Sequence, residues 1–465
     1  MKKKYIHLVE QTFKFPQNQF SINQNFDLLY ENINLKEIAK KYGTPLRVTY
    51  LNTIGEKIKK SKNWFQNAID RADFSGKYHY CYCTKSNHFK FVLEEVLAQG
   101  AHLETSSAFD LHLIKNLWEN NKISQAKKII CNGYKTNDYL EEIAQLINLG
   151  FTDITVVLDN TTELERLKEL TNQKIKIGIR IASEEEPKFA FYTSRLGIGY
   201  RDILPYFLKN LQNDAQISVE MLHFFINTGI HDTSYYWNEL RKALNVYTAL
   251  SKVCSSLSNL NIGGGLPIPN SLGFHFDYEE IINEIILQIK IHCTESQIKH
   301  PDIYTEFGSF TVGESGLTLF KVLKQKLQND RERWNLIDGS FMTTLPDTWA
   351  INKRFILFPL NAWDREYERV LLGGLTCDSD DYYNSEQHTN AIYLPQFIPN
   401  EDLYIGFFNT GAYQDSLAGY GGIQHCLLPH PKHILIRKEL NGNLNIEVFN
   451  ETQKSSQMLN ILGYD

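Results

Sequence analysis

From residue 78 onward the apolar and polar positions switch repeatedly between two periods. In "YHYCYCTK", Tyr80, Tyr82 and Thr84 alternate with Cys81 and Cys83, the period-two pattern of a strand. "HFKFVLEEVLAQG" follows with helical spacing and ends on Gly100, as a helix C-cap does. The change then recurs down the chain. "AHLETS" precedes "SAFDLHLIKNLWENN", "KKIICNG" precedes "TNDYLEEIAQLINLG", and "DITVVLD" precedes "NTTELERLKEL". "KIKIGIRIA" leads through a loop to "DILPYFLKNLQ", "VEMLHFFIN" to "TSYYWNELRKALNVYTAL", and "LNIGGG" to "FDYEEIINEIILQIKI". "DIYTEFG" closes the series near residue 308. Eight strands alternating with helices predict an α/β fold, a (β/α)8 TIM barrel over residues 46–315.

Beyond residue 315 the helical spacing fades. "TLFKVLKQKL", "RVLLGGLTCD", "LYIGFFN" and "HILIRKEL" read as strands between Asn, Gly and Pro turns, which predicts a C-terminal all-β domain over residues 316–465. Residues 1–45 precede the barrel, and some of them are expected to pair with that β domain.

Composition narrows the function classes. Of 465 residues 42% are hydrophobic and 22% charged, enough to bury a large core. A net charge of −6 gives no reason to expect nucleic acid or an anionic membrane as partner. No apolar run approaches the ~18 residues that span a bilayer. The start "MKKKYIHLVEQTFKFP" lacks an apolar signal core, so a cytoplasmic protein is expected. The seven scattered cysteines suit a reduced compartment, and Cys81 and Cys83 lack the second pair that a zinc site would need, so no metal is expected. Trp334, Trp349 and Trp363 read as core or interface residues, and "SEEEPK" at 183–188 as a solvated loop.

The C-terminal ends of barrel strands line active sites. Here those ends carry Lys85, Glu104, Asn132, Asp159, Arg180, Asn227, the run Gly263, Gly264, Gly265, and Glu306. Taken alone, Lys85 reads as the first solvated residue after a buried strand, and the glycines as either a tight turn or an anion cradle. Together, a phosphate cradle, a lysine on the first strand and an acid on the eighth suggest pyridoxal phosphate. A lysine desolvated at a pocket mouth can condense with the aldehyde, and the acid can keep the pyridine nitrogen protonated.

At this point the motifs carry a resemblance. "YCTKSN", "HLETSSAFDL", "SRLGIG", "NIGGGLP", "TEFGSF", "TCDSDD" and "GAYQD" resemble, in order and spacing, the barrel-fold (fold type III) pyridoxal phosphate decarboxylases. That group holds diaminopimelate, ornithine and biosynthetic arginine decarboxylases. "TTLPDTWAINKRF" is similar to the "SLPDAW" segment of the arginine enzymes, which places the chain nearest a compact branch of them. The resemblance implies an alanine racemase-like barrel plus β domain, a homodimer with shared active sites, and conversion of arginine to agmatine and carbon dioxide in polyamine (spermidine) biosynthesis.

The resemblance also implies roles. Lys85 forms the Schiff base and Glu306 pairs with the pyridinium. Gly263, Gly264 and Gly265 cradle the phosphate, while Glu104 and Arg180 form a supporting pair. Phe225, Asn227, Thr228, Ser309 and Tyr413 fall at further cofactor positions. Cys377 is the thiol that protonates the α-carbon across a dimer interface. Asp378, and Asp347 in the specificity segment, meet the distal group of the substrate. Two positions depart from the pattern: Phe225 stands where a histidine stacks on the cofactor ring, with His223 two residues earlier, and Ser309 where an arginine meets the phosphate.

Three readings compete. Asp347 and Asp378 suit a guanidinium or ammonium end, hence a basic amino acid, with arginine chosen over ornithine or lysine on the resemblance. Diaminopimelate would need a cation where Met342 stands. A non-catalytic decarboxylase-like regulator is the reading from another class; Phe225 and Ser309 favour it, and Lys85, Glu306 and Cys377 oppose it.

Overall fold

The computed structural model describes residues 4–12, 19–184, 193–383 and 392–464; residues 185–188 of "SEEEPK" lie outside them. The chain divides into two compact units, one of residues 54–267 and 276–311, the other of 1–53, 268–275 and 312–465.

The first unit is the barrel. Its strands are β1 (Tyr78–Cys83), β2 (His102–Thr105), β3 (Ile129–Cys131), β4 (Ile154–Leu158), β5 (Ile175–Ala182), β6 (Ile217–His223), β7 (Asn259–Asn261) and β8 (Asp302–Glu306). Every strand pairs in parallel with the next, and β8 pairs with β1, so the ring closes. Closure leaves no sheet edge to protect, and it brings the eight C-terminal ends to one rim. Helices between the strands start where a side chain accepts an amide that the helix itself cannot satisfy. Ser107 takes Asp110, Thr136 takes Tyr139, Thr233 takes Tyr236 and Asp277 takes Glu280. A further helix, Asn52–Arg71, precedes β1 and buries Ile54, Ile58, Phe65, Ala68 and Ile69. Gly55 and Ser61 share that buried face, which is why its apolar stripe is faint in the sequence.

The second unit is built on a ten-stranded sheet. Leu46–Tyr50 runs antiparallel to the start of Gly316–Leu327 and parallel to Lys432–Lys438. The reading of residues 46–315 as barrel therefore misplaces this strand; it is buried along its whole length in the sheet-rich unit. Residues before it form a separate three-stranded sheet, Phe20–Ile22, Leu28–Tyr30 and Ile33–Asn34, whose apolar side chains share one core with Leu46, Val48, Leu317 and Ile434. Trp363 is buried in that core, Trp334 is half-buried and Trp349 is exposed. Among the described residues no helix is long and apolar enough to cross a membrane.

Candidate active site

Lys85 sits in a single turn, Thr84–Ser86, directly after β1. The Thr84 hydroxyl fixes that turn by donating to the Glu104 carbonyl at 3.0 Å and to Asp110 Oδ1 at 2.9 Å. Asp110 is held as a carboxylate: burial pushes its value up, but His88 at 3.1 Å and the Ser106 amide outweigh it. Lys85 Nζ lies 3.7 Å from Glu104 Oε2, and its side chain is 47% exposed. The expected desolvated lysine is thus not what folds; about half of the side chain is exposed, beside a fully buried acid.

Two buried carboxylates face each other below it. Asn132, at the end of β3, bridges them, with Nδ2 donating to Glu104 Oε1 at 3.0 Å and to Glu306 Oε1 at 2.9 Å. Asn261 Nδ2 donates to the same Glu306 oxygen at 2.6 Å, and His223 Nε2 lies 3.4 Å from Glu306 Oε2. The two acids are thereby driven apart. Burial pushes Glu104 up, and Glu306 pushes it the same way against the pull of Lys85. Burial also opposes Glu306, but His223, Lys85 and Asn132 outweigh it and hold that carboxyl at about 2. Burial lowers the His223 imidazole, against the pull of the Glu306 carboxylate beside it. The result is one firmly ionised carboxylate and one that takes a proton more readily, the arrangement that separates acid and base roles. Cys83 Sγ, Glu104 and Glu306 also have metal-ligand spacing, but burial keeps Cys83 a thiol, which donates to the Glu306 carbonyl at 3.0 Å.

The glycine run is tied into the same network. Asn261 Oδ1 accepts the Gly263 amide at 2.9 Å, and the Gly263 carbonyl accepts the Glu306 amide at 2.8 Å. Gly265 has φ +100° and Gly229 φ +80°, values that favour glycine. Their two turns nest so closely that a Cβ on Gly265 would stand 2.6 Å from Gly229 Cα, and one on Gly229 2.5 Å from the Gly265 carbonyl. The amides of Gly264 and Gly265 have no acceptor among the described residues. Asn227 and Thr228 belong to the Gly229 turn, Asn227 exposed and Thr228 half-buried. Phe225 is half-buried with the Arg180 guanidinium 5.4 Å from its ring centre, a cation–π contact. Ser309, half-buried, follows Gly308, whose Cβ would strike Ser86 Oγ. Ser86 Oγ, Glu104 Oε2 and both ring nitrogens of His223 are buried without a hydrogen bond among the described residues. An ionised carboxylate, an open amine and two unclaimed amides fit the pyridine nitrogen, aldehyde and phosphate of pyridoxal phosphate.

The sheet-rich unit holds a second group. Asp381 accepts from Ser340 Oγ at 3.0 Å, the Phe341 amide at 2.8 Å and Thr376 Oγ1 at 2.7 Å, and so builds the loop that carries Cys377 and Asp378. Cys377 is exposed. A hydrogen bond to Cys426, Sγ to Sγ 3.8 Å, holds the Cys377 thiol above its ordinary range. Asp378 is a third exposed and faces His425 Nε2 at 3.3 Å. Tyr413 adopts the left-handed region, φ +67°, at the head of a short helix. Asp347 is buried with Oδ2 already engaged by Lys353 Nζ at 3.0 Å and Gln414 Nε2 at 2.7 Å. The Asp347 amide in turn donates to Gln414 Oε1. Asp347 is therefore not the open bidentate acceptor expected for a substrate cation; it clamps the residue next to Tyr413.

Asp159, read as a strand-end candidate, accepts the Gly197 amide at 2.9 Å and so anchors the "SRLGIG" loop. Asn261 went unrecognised, and Asn132 and His223 were not assigned the network roles they hold here. Their one signal is a polar side chain at the C-terminal end of a strand, and all three are buried.

Comparison with known proteins agrees with this geometry. Residues 54–313 match the family described as pyridoxal-dependent decarboxylase, pyridoxal binding domain. A biosynthetic arginine decarboxylase of a Geobacter species is 22% identical over 97% of this chain and 87% of its own. One from Prochlorococcus marinus is 23% identical over 92% and 83%. Among solved structures, a biosynthetic arginine decarboxylase from Campylobacter jejuni superposes with a TM-score of 0.82 at 19% identity, covering 97% of this chain and 91% of that one. A diaminopimelate decarboxylase from M. jannaschii in complex with L-lysine gives 0.78 at 20% identity, covering 96% and 98%. With the family match spanning more than half of its length, the chain belongs to the pyridoxal-dependent decarboxylases.

Proposed function

We propose that the protein removes the α-carboxylate of a basic amino acid, L-arginine, to give agmatine and carbon dioxide for polyamine synthesis. The observation that carries the reading is the pair of opposed acids, ionised Glu306 and proton-accepting Glu104, beside the open amine of Lys85. Pyridoxal phosphate, when bound, supplies an electron sink for the pair released as the carboxylate leaves. Lys85 would hold the cofactor through its aldehyde, and Glu104, 3.7 Å from the lysine nitrogen, would take and return the lysine proton. Glu306 stays negative and so keeps a positive charge on the pyridine nitrogen. The Gly264 and Gly265 amides would hold the phosphate in place of the arginine missing at Ser309, and Phe225, with Arg180 on its ring, would offer the cofactor an apolar surface. The Cys377 thiol, kept protonated by Cys426, delivers a proton to the α-carbon.

Arginine is supported by the names of the curated relatives, which match nearly the whole chain. With Asp347 engaged by Lys353, Asp378 becomes the acid that pairs with the distal guanidinium. The likeness to a diaminopimelate decarboxylase structure favours a second reading, in which the substrate ends in a carboxylate. Carbon dioxide release from arginine, ornithine, lysine and diaminopimelate decides between them: turnover of arginine at least tenfold above the others is expected, and preference for diaminopimelate overturns the reading.

A homodimer with shared sites is part of the proposal. Trp349, Ile351, Leu375, Leu417, Ile423 and Leu427 are all exposed on the segments that carry Asp347, Cys377, Tyr413 and Cys426. So much apolar surface beside functional motifs is the mark of an interface, and a second copy is its occupant. Seven cysteines without a disulfide support a reducing, cytoplasmic setting.

A further inference from the structure

The cysteines fall into two groups. Cys81, Cys83, Cys131, Cys254 and Cys293 are buried, while Cys377 and Cys426 are exposed. The exposed two lie 49 positions apart in the sequence, yet their sulfurs are 3.8 Å apart. A second contact joins the same two loops, His425 Nε2 to Asp378 Oδ2 at 3.3 Å. Neither loop is loose at that point. Asp381 fixes the Cys377 loop through the Thr376 amide and hydroxyl. The other loop turns through Cys426 at φ 54° and Leu427 at φ 53°, two consecutive left-handed residues that present the thiol. A disulfide has its sulfurs about 2.05 Å apart, so the two thiols must approach further for the bond to form.

We propose that Cys377 and Cys426 form a reversible disulfide within one chain, a redox site that takes the Cys377 thiol out of use. The oxidant is a hydroperoxide. One thiolate attacks the peroxide, forming an S–O bond as the O–O bond breaks and hydroxide leaves to become water. The second thiol then attacks that sulfur; an S–S bond forms, the S–O bond breaks, and a second water departs. Two electrons pass from the sulfurs to the peroxide, and a dithiol returns them. A disulfide in a reducing compartment is transient and signals oxidant. Its effect on turnover rests on the role of Cys377 given under Proposed function; the bond itself does not.

The test uses the full-length holoenzyme and hydrogen peroxide at one equivalent per chain. Free thiols are counted after unfolding, and unreduced peptides are mapped by mass. The expected result is a fall from seven thiols to five, a peptide joining Cys377 to Cys426, and loss of at least nine-tenths of the activity, all restored by dithiothreitol. Cys426→Ser and Cys426→Ala should yield no joined peptide after the same treatment. Thiols that stay at seven, or Cys377 recovered only as its sulfinic acid, overturn the proposal. A joined peptide with full activity sustains the redox site and instead removes Cys377 from the reaction.

Discussion

In the barrel, Glu104, Asn132, His223, Asn261 and Glu306 are all buried, and the acids and amides among them answer one another within one chain. In the sheet-rich unit, Cys377 and His425 are exposed and Asp378 is half-buried, with exposed leucines, isoleucines and a tryptophan on the motif segments. The first group is largely paired as folded, with Glu104 Oε2 and the His223 ring nitrogens left without a hydrogen bond among the described residues. A buried charge must be hydrogen-bonded where it lies, so its partners had to come from neighbouring strands. The second group is incomplete, because apolar surface left open beside polar motifs is stabilised only when something covers it. The contrast teaches that the buried polar groups find partners within the chain, whereas the exposed motifs lie beside apolar surface that the proposed dimer would cover.

The largest effect is expected at the barrel site. Lys85→Ala should lower turnover by at least about a thousandfold and abolish the visible band that borohydride removes. An unchanged, reducible band in that variant would show that the cofactor is held elsewhere. The incomplete site is probed by mixing. Lys85→Ala and Cys377→Ala are each expected to be nearly inactive, yet mixed dimers should regain up to about a quarter of wild-type activity, because random assortment leaves one intact site in half of the dimers. Verified mixed dimers without activity would place both groups in one chain.

Smaller effects separate the two acids of the sheet-rich unit. Asp378→Asn should cut kcat/KM for arginine roughly tenfold to a hundredfold, the loss of one charge-assisted hydrogen bond of about 1.5–3 kcal/mol. Asp347→Asn should cost stability instead, lowering the melting temperature by a few degrees while kcat/KM falls less than tenfold, since its charge serves Lys353. The reverse ranking in the two kinetic series would return Asp347 to the substrate.

The smallest expected effect is in acid. Burial, reinforced by Arg47, lowers His430 to about 4 and His433 to about 3. An ordinary imidazole titrates near 6.5, so as pH falls the unfolded chain binds these protons first. Stability is therefore full above pH 7 and declines from about pH 6.5 to about 4, by up to ~1.4 kcal/mol per pH unit for each histidine. In the barrel, Glu306 has its value depressed, so its contribution is full above about pH 4.5 and is lost as pH falls from there toward about 2. His433→Gln should flatten the dependence of the melting temperature on pH across the window; an unchanged slope means the imidazole is already charged when folded.

The sequence exposes the barrel because a closed parallel ring buries both faces of every strand and covers the outer one with helices, which writes two clear periods into the chain. Lys85, the glycine run and Glu306 are legible because they punctuate strand ends. Leu46–Tyr50 is not, since five buried residues suit either unit equally and only pairing decides. Asp347 and Asp381 look alike in sequence to Asp378, three acids in motifs. Their difference lies in Lys353, Gln414 and Ser340, partners that the fold supplies. The meeting of Cys377 and Cys426 is equally invisible, since nothing in a pattern of periods measures the approach of two loops.

Asn132 is followed by Gly133, and an asparagine before glycine is the peptide most prone to lose ammonia, because the unhindered glycine amide attacks the side-chain carbonyl. Here the native fold works against that decay. Both hydrogens of the Asn132 amide are committed to Glu104 and Glu306, and the backbone is fixed by Lys135, which binds the Gly133 carbonyl at 2.7 Å. Once the chain opens, the protection is gone. An aspartate at 132 would set a third carboxylate against two buried ones, where an amide had joined them. Heat damage to this protein would then be stored in its covalent structure, and a chain that refolds after such a lesion would rebuild its barrel around a site unable to close.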